Sequence, residues 1–173
     1  VLLDHYPHRI IVDEDYDVAR VLSDEEFPPV MARLLNEEKT LLVPPPAGEE
    51  IYQRAMDHFQ RMGARVDRAG QVRDEDIKKS TLVILDKRNP LAERLYGRVE
   101  AEGGFSVTVK GNPWNPKKVI AIIHAESKEE MAAAFPKLVH YGKYSFVFFN
   151  QGENVAKRTE SGSRGMGKEL ARV

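Results

Sequence analysis

Three short apolar runs constrain the fold of this chain more than any other feature: Thr40-Leu41-Leu42-Val43, Thr81-Leu82-Val83-Ile84-Leu85 and Val119-Ile120-Ala121-Ile122-Ile123. None of them alternates with polar residues, so a strand built from any one must be covered on both faces. Helical patterns lie between them. Ile51, Ala55, Phe59 and Met62 recur at helical spacing from Glu49 to Met62, and Gly63 is placed to end that helix. Asp74 to Lys79 and Pro90 to Tyr96 read as two shorter helices, the second opened by Asn89-Pro90. Ser127 heads a further helix carrying Met131, Ala134, Phe135 and Leu138, and Pro136 should kink it or end its regular part. Strands alternating with helices in this way predict an α/β chain. The expected form is a three-layer sandwich, a mainly parallel, Rossmann-like sheet of four to five strands with helices on both faces.

The weaker patterns fill in the rest. Arg9-Ile10-Ile11-Val12 and Arg65-Val66-Asp67 read as short strands, and Tyr144 to Phe149 as the last one. Phe105 to Lys110 alternates apolar with polar residues, as a half-exposed strand at a sheet edge would. Ser23-Asp24-Glu25-Glu26 has the form of a capping box, which with Pro28-Pro29 predicts a helix from about Pro28 to Leu35. Residues 1–37 therefore read as a lead-in or junction segment, 38–156 as the α/β domain, and 157–173 as a flexible tail. The chain opens Val1-Leu2-Leu3-Asp4 without methionine or export signal, so it is expected to be a segment of a longer protein.

Composition removes several function classes. Lysine and arginine total 26 against 27 acids, which leaves no basic surplus for nucleic acid. The longest apolar runs are strand-sized, so no direct membrane insertion is expected. There is no cysteine. The five histidines, at positions 5, 8, 58, 124 and 140, show no His-Glu-x-x-His spacing, so no metal site is assigned. Pro44-Pro45-Pro46 stands where a dinucleotide loop would offer backbone N–H groups, and proline has none to offer. No serine occupies a Gly-x-Ser-x-Gly elbow. No catalytic residue and no cofactor are therefore expected. A pocket lined by Asp86 and Glu126 at the strand ends would instead point to a small hydrolase.

Two loops offer contacts. Asn112-Pro113-Trp114-Asn115-Pro116 is stiffened by its prolines and holds the sole tryptophan in place; exposed, Trp114 anchors an interface, and buried it plugs the end of the sheet. His140-Tyr141-Gly142-Lys143-Tyr144-Ser145 leads into the last core strand. Asn112, Trp114, Asn115, His140, Tyr141 and Tyr144 are accordingly the candidate interface or ligand contacts. The competing reading packs the tyrosines under a turn glycine.

The stretch from Ile11 to Leu22, followed by Glu25-Glu26-Phe27-Pro28-Pro29, resembles a junction of bacterial multidomain proteins. In those proteins it precedes an α/β domain with an Asn-Pro-x-Asn-Pro loop and a His-Tyr-Gly-Lys-Tyr-Ser motif, both present here. The chain thus resembles, from about Ile11 to Asn154, the C-terminal accessory domain of exported zinc aminopeptidases of the gluzincin type. A similar domain occurs in iron-regulated, haem-binding envelope lipoproteins. Glu14 stands where that pattern has proline and Ala19 where it has phenylalanine. The resemblance implies an extracytoplasmic, non-catalytic accessory role, with the remainder of the same polypeptide as partner and the zinc helix upstream of Val1. The alternative it implies is a module that binds haem or a peptide.

Overall fold

In a computed structural model the described residues are 9–14, 17, 19, 21, 26–35, 39–97, 103–160 and 166–169. The three apolar runs become β2 (Thr40–Val43), β4 (Thr81–Leu85) and β6 (Val119–Ala125), flanked in sequence by β1 (Arg9–Val12), β3 (Arg65–Val66), β5 (Phe105–Gly111), β7 (Phe146–Asn150), β8 (Glu153–Arg158) and β9 (Met166–Glu169). The helices are α1 (Met31–Leu35), α2 (Glu49–Arg61), α3 (Asp74–Lys79), α4 (Pro90–Tyr96) and α5 (Lys128–Ala134), with 3-10 segments at Ala69–Gln71 and Phe135–His140. The chain divides into two units, residues 1–28 with 161–173, and residues 29–160. In the first, β1 and β9 pair antiparallel. The second holds one seven-stranded sheet in the order β3-β2-β4-β6-β5-β7-β8.

This sheet is larger and more mixed than the four or five mainly parallel strands expected. Strands β3, β2, β4 and β6 pair in parallel, whereas β5 runs antiparallel to both β6 and β7, and β8 antiparallel to β7. Strand β5 is interior rather than an edge. Its Phe105, Val107 and Val109 enter the core, and the alternating Ser106 is only 2% exposed on the other face. Small hydroxyls fit under a covering layer, so alternation here does not signal solvent. Strand β8 was hidden by its polar sequence. Gln151 (φ 51°) and Gly152 (φ 76°) make a two-residue left-handed turn that pairs Asn150 with Glu153, the geometry of a tight hairpin.

The boundaries shift with the packing. Met31 and Leu34 of α1 are buried in the domain core, so the core unit begins at Pro29 rather than at 38. The helix expected from Pro28 starts at Met31. Lys157 and Arg158 belong to β8, and residues 166–169 form β9, so the segment expected as a flexible tail holds strand structure. Ser23-Asp24-Glu25 of the capping box, Asp15-Tyr16 of the junction and Ser161–Gly165 lie outside the described residues. Pro136 does end the regular helix: α5 stops at Ala134 and the chain tightens into the 3-10 segment.

Two apolar layers hold the sheet. Leu82, Ile84, Ile120 and Ile122 pack with Ile77 of α3 and Leu91 and Ala92 of α4 on one face. Val83, Leu85, Ala121 and Ile123 pack with α1, α2 and α5 on the other. Helices thus cover both faces. Two glycines test the backbone. A Cβ on Gly104 (φ 84°) would fall 2.5 Å from the Phe149 carbonyl oxygen, whereas Gly63 (φ 86°) has open space around it. Gly104→Ala is expected to cost about 3 kcal/mol or more in urea unfolding and Gly63→Ala only about 1 kcal/mol. Equal costs would contradict this placement of the β5–β7 contact.

Candidate functional site

The strand order creates a crevice. From β2 the chain passes to β3 on one side and returns to β4 on the other, so the connections above β2 and β4 diverge at their carboxyl ends. Open α/β sheets bind ligands at such a point. A cleft of about 540 Å³ lies here, lined by Gly48 and Tyr52 from the β2–α2 connection and α2, by Asp86, Lys87 and Arg88 after β4, and by His124 and Glu126 at the end of β6.

Each side chain is placed by the local fold. Asn89 caps α4 by accepting from the Leu91 N–H at 3.1 Å, while its Nδ2 donates to the Pro44 carbonyl at 2.8 Å and to that of Leu85 at 3.1 Å. The proline loop after β2 is thereby tied to the turn after β4. Asp86 adopts φ 73°, a left-handed conformation that aspartate tolerates, and its N–H donates to the Ile123 carbonyl at 2.8 Å. Its carboxylate accepts from the Arg88 backbone N–H at 3.0 Å and from Arg88 Nη2 at 3.2 Å. The aspartate is buried and the arginine exposed.

His124 Nδ1 lies 3.6 Å from Asp86 Oδ1 and 3.4 Å from the Tyr52 hydroxyl. Tyr52, buried on α2, donates to the Ala125 carbonyl and accepts from the Ala125 N–H, both at 3.3 Å. Burial is the main cause that pushes the Tyr52 hydroxyl up to about 12. Burial, reinforced by Lys87 and opposed by Asp86, holds His124 below the usual imidazole value, so the ring is neutral. The neighbouring carboxylate favours a proton on Nδ1, which leaves the lone pair on Nε2. That atom is buried without a hydrogen-bond partner. Ser106 stands opposite His124 in the β5–β6 register, yet its hydroxyl does not bond Nε2, so Asp86, His124 and Ser106 do not form a nucleophilic triad.

The cleft therefore has two levels. Arg88 and Glu126 are exposed at the surface, with Lys87 half-buried between them. Asp86, Tyr52 and His124 are sealed beneath. Substrate cannot meet Nε2 in this arrangement, and a general base needs hydrogen-bond reach to the proton it takes. Among the described residues no group of three or more histidine, aspartate or glutamate side chains could hold a metal ion.

No family model, curated protein or solved structure matches this chain.

The residues singled out in the sequence lie on the loops that lead into the amino ends of β6 and β7. Asn112 Nδ2 donates to the Ile77 carbonyl and Asn115 Nδ2 to that of Lys78, both at 2.7 Å, so the two asparagines cap the end of α3. Trp114 is 40% exposed, with the Arg94 guanidinium 5.9 Å from its ring centre. His140 is exposed at the end of its 3-10 segment. Tyr141 packs edge-on against Phe149 and lies 5.9 Å from the Tyr144 ring. Trp114 sits against α4 and Tyr141 in the α2–α5 core, so the structure does not gather them into one site. Asp86 and Glu126, named as a conditional pair, do share a cleft. Tyr52 and His124 were missed: one reads as an apolar helix position, the other as the end of an apolar run.

Removing the Tyr52 hydroxyl unpairs the Ala125 N–H. Tyr52→Phe is expected to lower stability by about 1–3 kcal/mol in urea unfolding, and an unchanged midpoint would contradict the cluster. The imidazole shift carries a sign of its own. Stability linked to His124 is full above the unfolded value near 6.5 and is lost as pH falls through its lower folded value.

Proposed function

We propose that this chain is a non-catalytic accessory domain of a larger exported bacterial metallopeptidase, and that it holds peptide termini in the cleft above β2, β4 and β6. One observation carries the reading: side chains of both signs border the cleft while its imidazole is sealed below. A peptide end presents an ammonium or carboxylate group beside polar amides. Glu126 suits the first. Arg88, which has donors beyond those facing Asp86, suits the second. The resemblance of both loops to the accessory domain of zinc aminopeptidases supplies the peptidase context, and with it a place outside the inner membrane beside the rest of the polypeptide. The β3-β2-β4-β6 portion fits a Rossmann-like half-sheet in this reading, extended by β5, β7 and β8.

A second reading, a small hydrolase, rests on Asp86 and Glu126 lining the same cleft, and the sealed Nε2 of His124 counts against it. The alternative of a haem module gains less, because His140 is exposed and Tyr141 is committed to packing on Phe149. Assay decides between the first two. The chain with added zinc is expected to leave aminoacyl-p-nitroanilides uncleaved. Trialanine should shift the backbone NMR signals of Gly48, Lys87, Arg88 and Glu126, and Glu126→Gln should weaken that response about fivefold or more. Turnover abolished by His124→Ala would establish the hydrolase, and trialanine shifts absent from the cleft would end the peptide-binding reading.

A further inference from the structure

A separate cavity of about 280 Å³ opens on the face of the sheet covered by α1, α2 and α5, between α1, α2 and the Phe135–His140 segment. Its floor is the sheet itself, at Val107 of β5 and Ile123 of β6, and its walls include Leu34, Phe59 and Phe135. These residues are all buried, and the lining offers apolar carbon where helices elsewhere close directly on the strands. The mouth differs in kind. Arg54, His58 and Arg61 occupy successive turns of α2 and all border the opening.

The two arginines are the informative part. Both are exposed, and among the described residues neither guanidinium meets a carboxylate within 4 Å, although α2 also carries Glu50 and Asp57. The Asp57 carboxylate takes its hydrogen bond from Gln53 at 2.7 Å, and Arg61 Nε donates to the Asp57 backbone carbonyl at 3.1 Å. His58 is held in place by edge contacts with Phe59 and Phe135, ring centres 5.3 and 5.4 Å away. Positive charge at the rim of an apolar cavity fits one ligand chemistry, a negative head on an apolar body. Arginine presents paired N–H groups that match a carboxylate.

We infer that this cavity binds a medium-chain carboxylate, with the alkyl chain against Phe59, Ile123 and Phe135 and the carboxylate at Arg54 and Arg61. The size agrees. A cavity of about 280 Å³ has room for an alkyl chain of medium length. A long-chain fatty acid would project from the mouth past Val139, which is 66% exposed. The inference does not depend on the peptide cleft, which lies at the strand ends and shares no lining residue with this cavity.

Calorimetric titration of the full chain with sodium octanoate tests it, with 1-octanol as the neutral probe of equal length. Octanoate should bind, and octanol about tenfold more weakly or not at all. Arg54→Gln and Arg61→Gln should each weaken octanoate about fivefold to tenfold while leaving octanol unchanged. Val139→Trp, a substitution at an exposed position, should block both probes without altering the urea midpoint. Three results overturn the inference: no octanoate heat at millimolar concentration; equal affinity for octanoate and octanol; or octanoate binding that survives the double glutamine variant.

Discussion

Strand β6 is the constraint on which the rest depends. All seven of its residues are buried, between parallel β4 on one side and antiparallel β5 on the other. An apolar strand in that position must satisfy its buried backbone groups in the sheet or, as at Ala125, through the Tyr52 hydroxyl, and place its side chains within one of two helical layers. Ile120 and Ile122 serve the α3–α4 layer, and Ala121 and Ile123 the layer of α1, α2 and α5. Losing one of those side chains to alanine costs about 2–5 kcal/mol for an isoleucine in a packed interior, a large part of the stability of a domain this size. Continuing the strand by one residue then sets His124, a polar group, at the top of the α3–α4 layer.

The polar cluster follows from that placement. A neutral buried imidazole with one unpaired nitrogen costs about 1–3 kcal/mol, and the sheet bears it because Tyr52, Asp86 and the Ala125 backbone satisfy their own groups around it. Helix α2 links this cluster to the apolar cavity. Its first turns bring Tyr52 to the strand ends, and its later turns carry Arg54, His58 and Arg61 past the apolar cavity. One helix therefore borders the cleft and the cavity alike, and a ligand that moved α2 would be felt in each.

The sequence made the central strands and helices legible because their signals are local. Continuous apolar runs marked β2, β4 and β6, and Asn89-Pro90 and Ser127 marked the starts of α4 and α5, where the side chains do accept from Leu91 and Glu130 N–H groups. What escaped was set by distant pairing. Ser106 and Thr108 gave β5 the alternation of an edge strand, and only its position between β6 and β7 makes it interior. Strand β8 is polar because its exposed edge faces water, so periodicity alone could not separate it from a tail. The candidate residues of the two loops were legible as stiff or aromatic, but their hydrogen bonds show asparagines spent on the end of α3. Tyr52 and His124 are 72 positions apart in sequence, and nothing local announces their contact.

The most direct test of this account is the protonation of the His124 ring, read by long-range proton–nitrogen NMR across a pH series. The structure predicts a neutral imidazole carrying its proton on Nδ1, still uncharged when the pH falls below the value of about 6.5 typical of a solvated histidine. A ring that charges at or above that value, or that carries its neutral proton on Nε2, would mean the sealed cluster beneath the cleft does not exist as described.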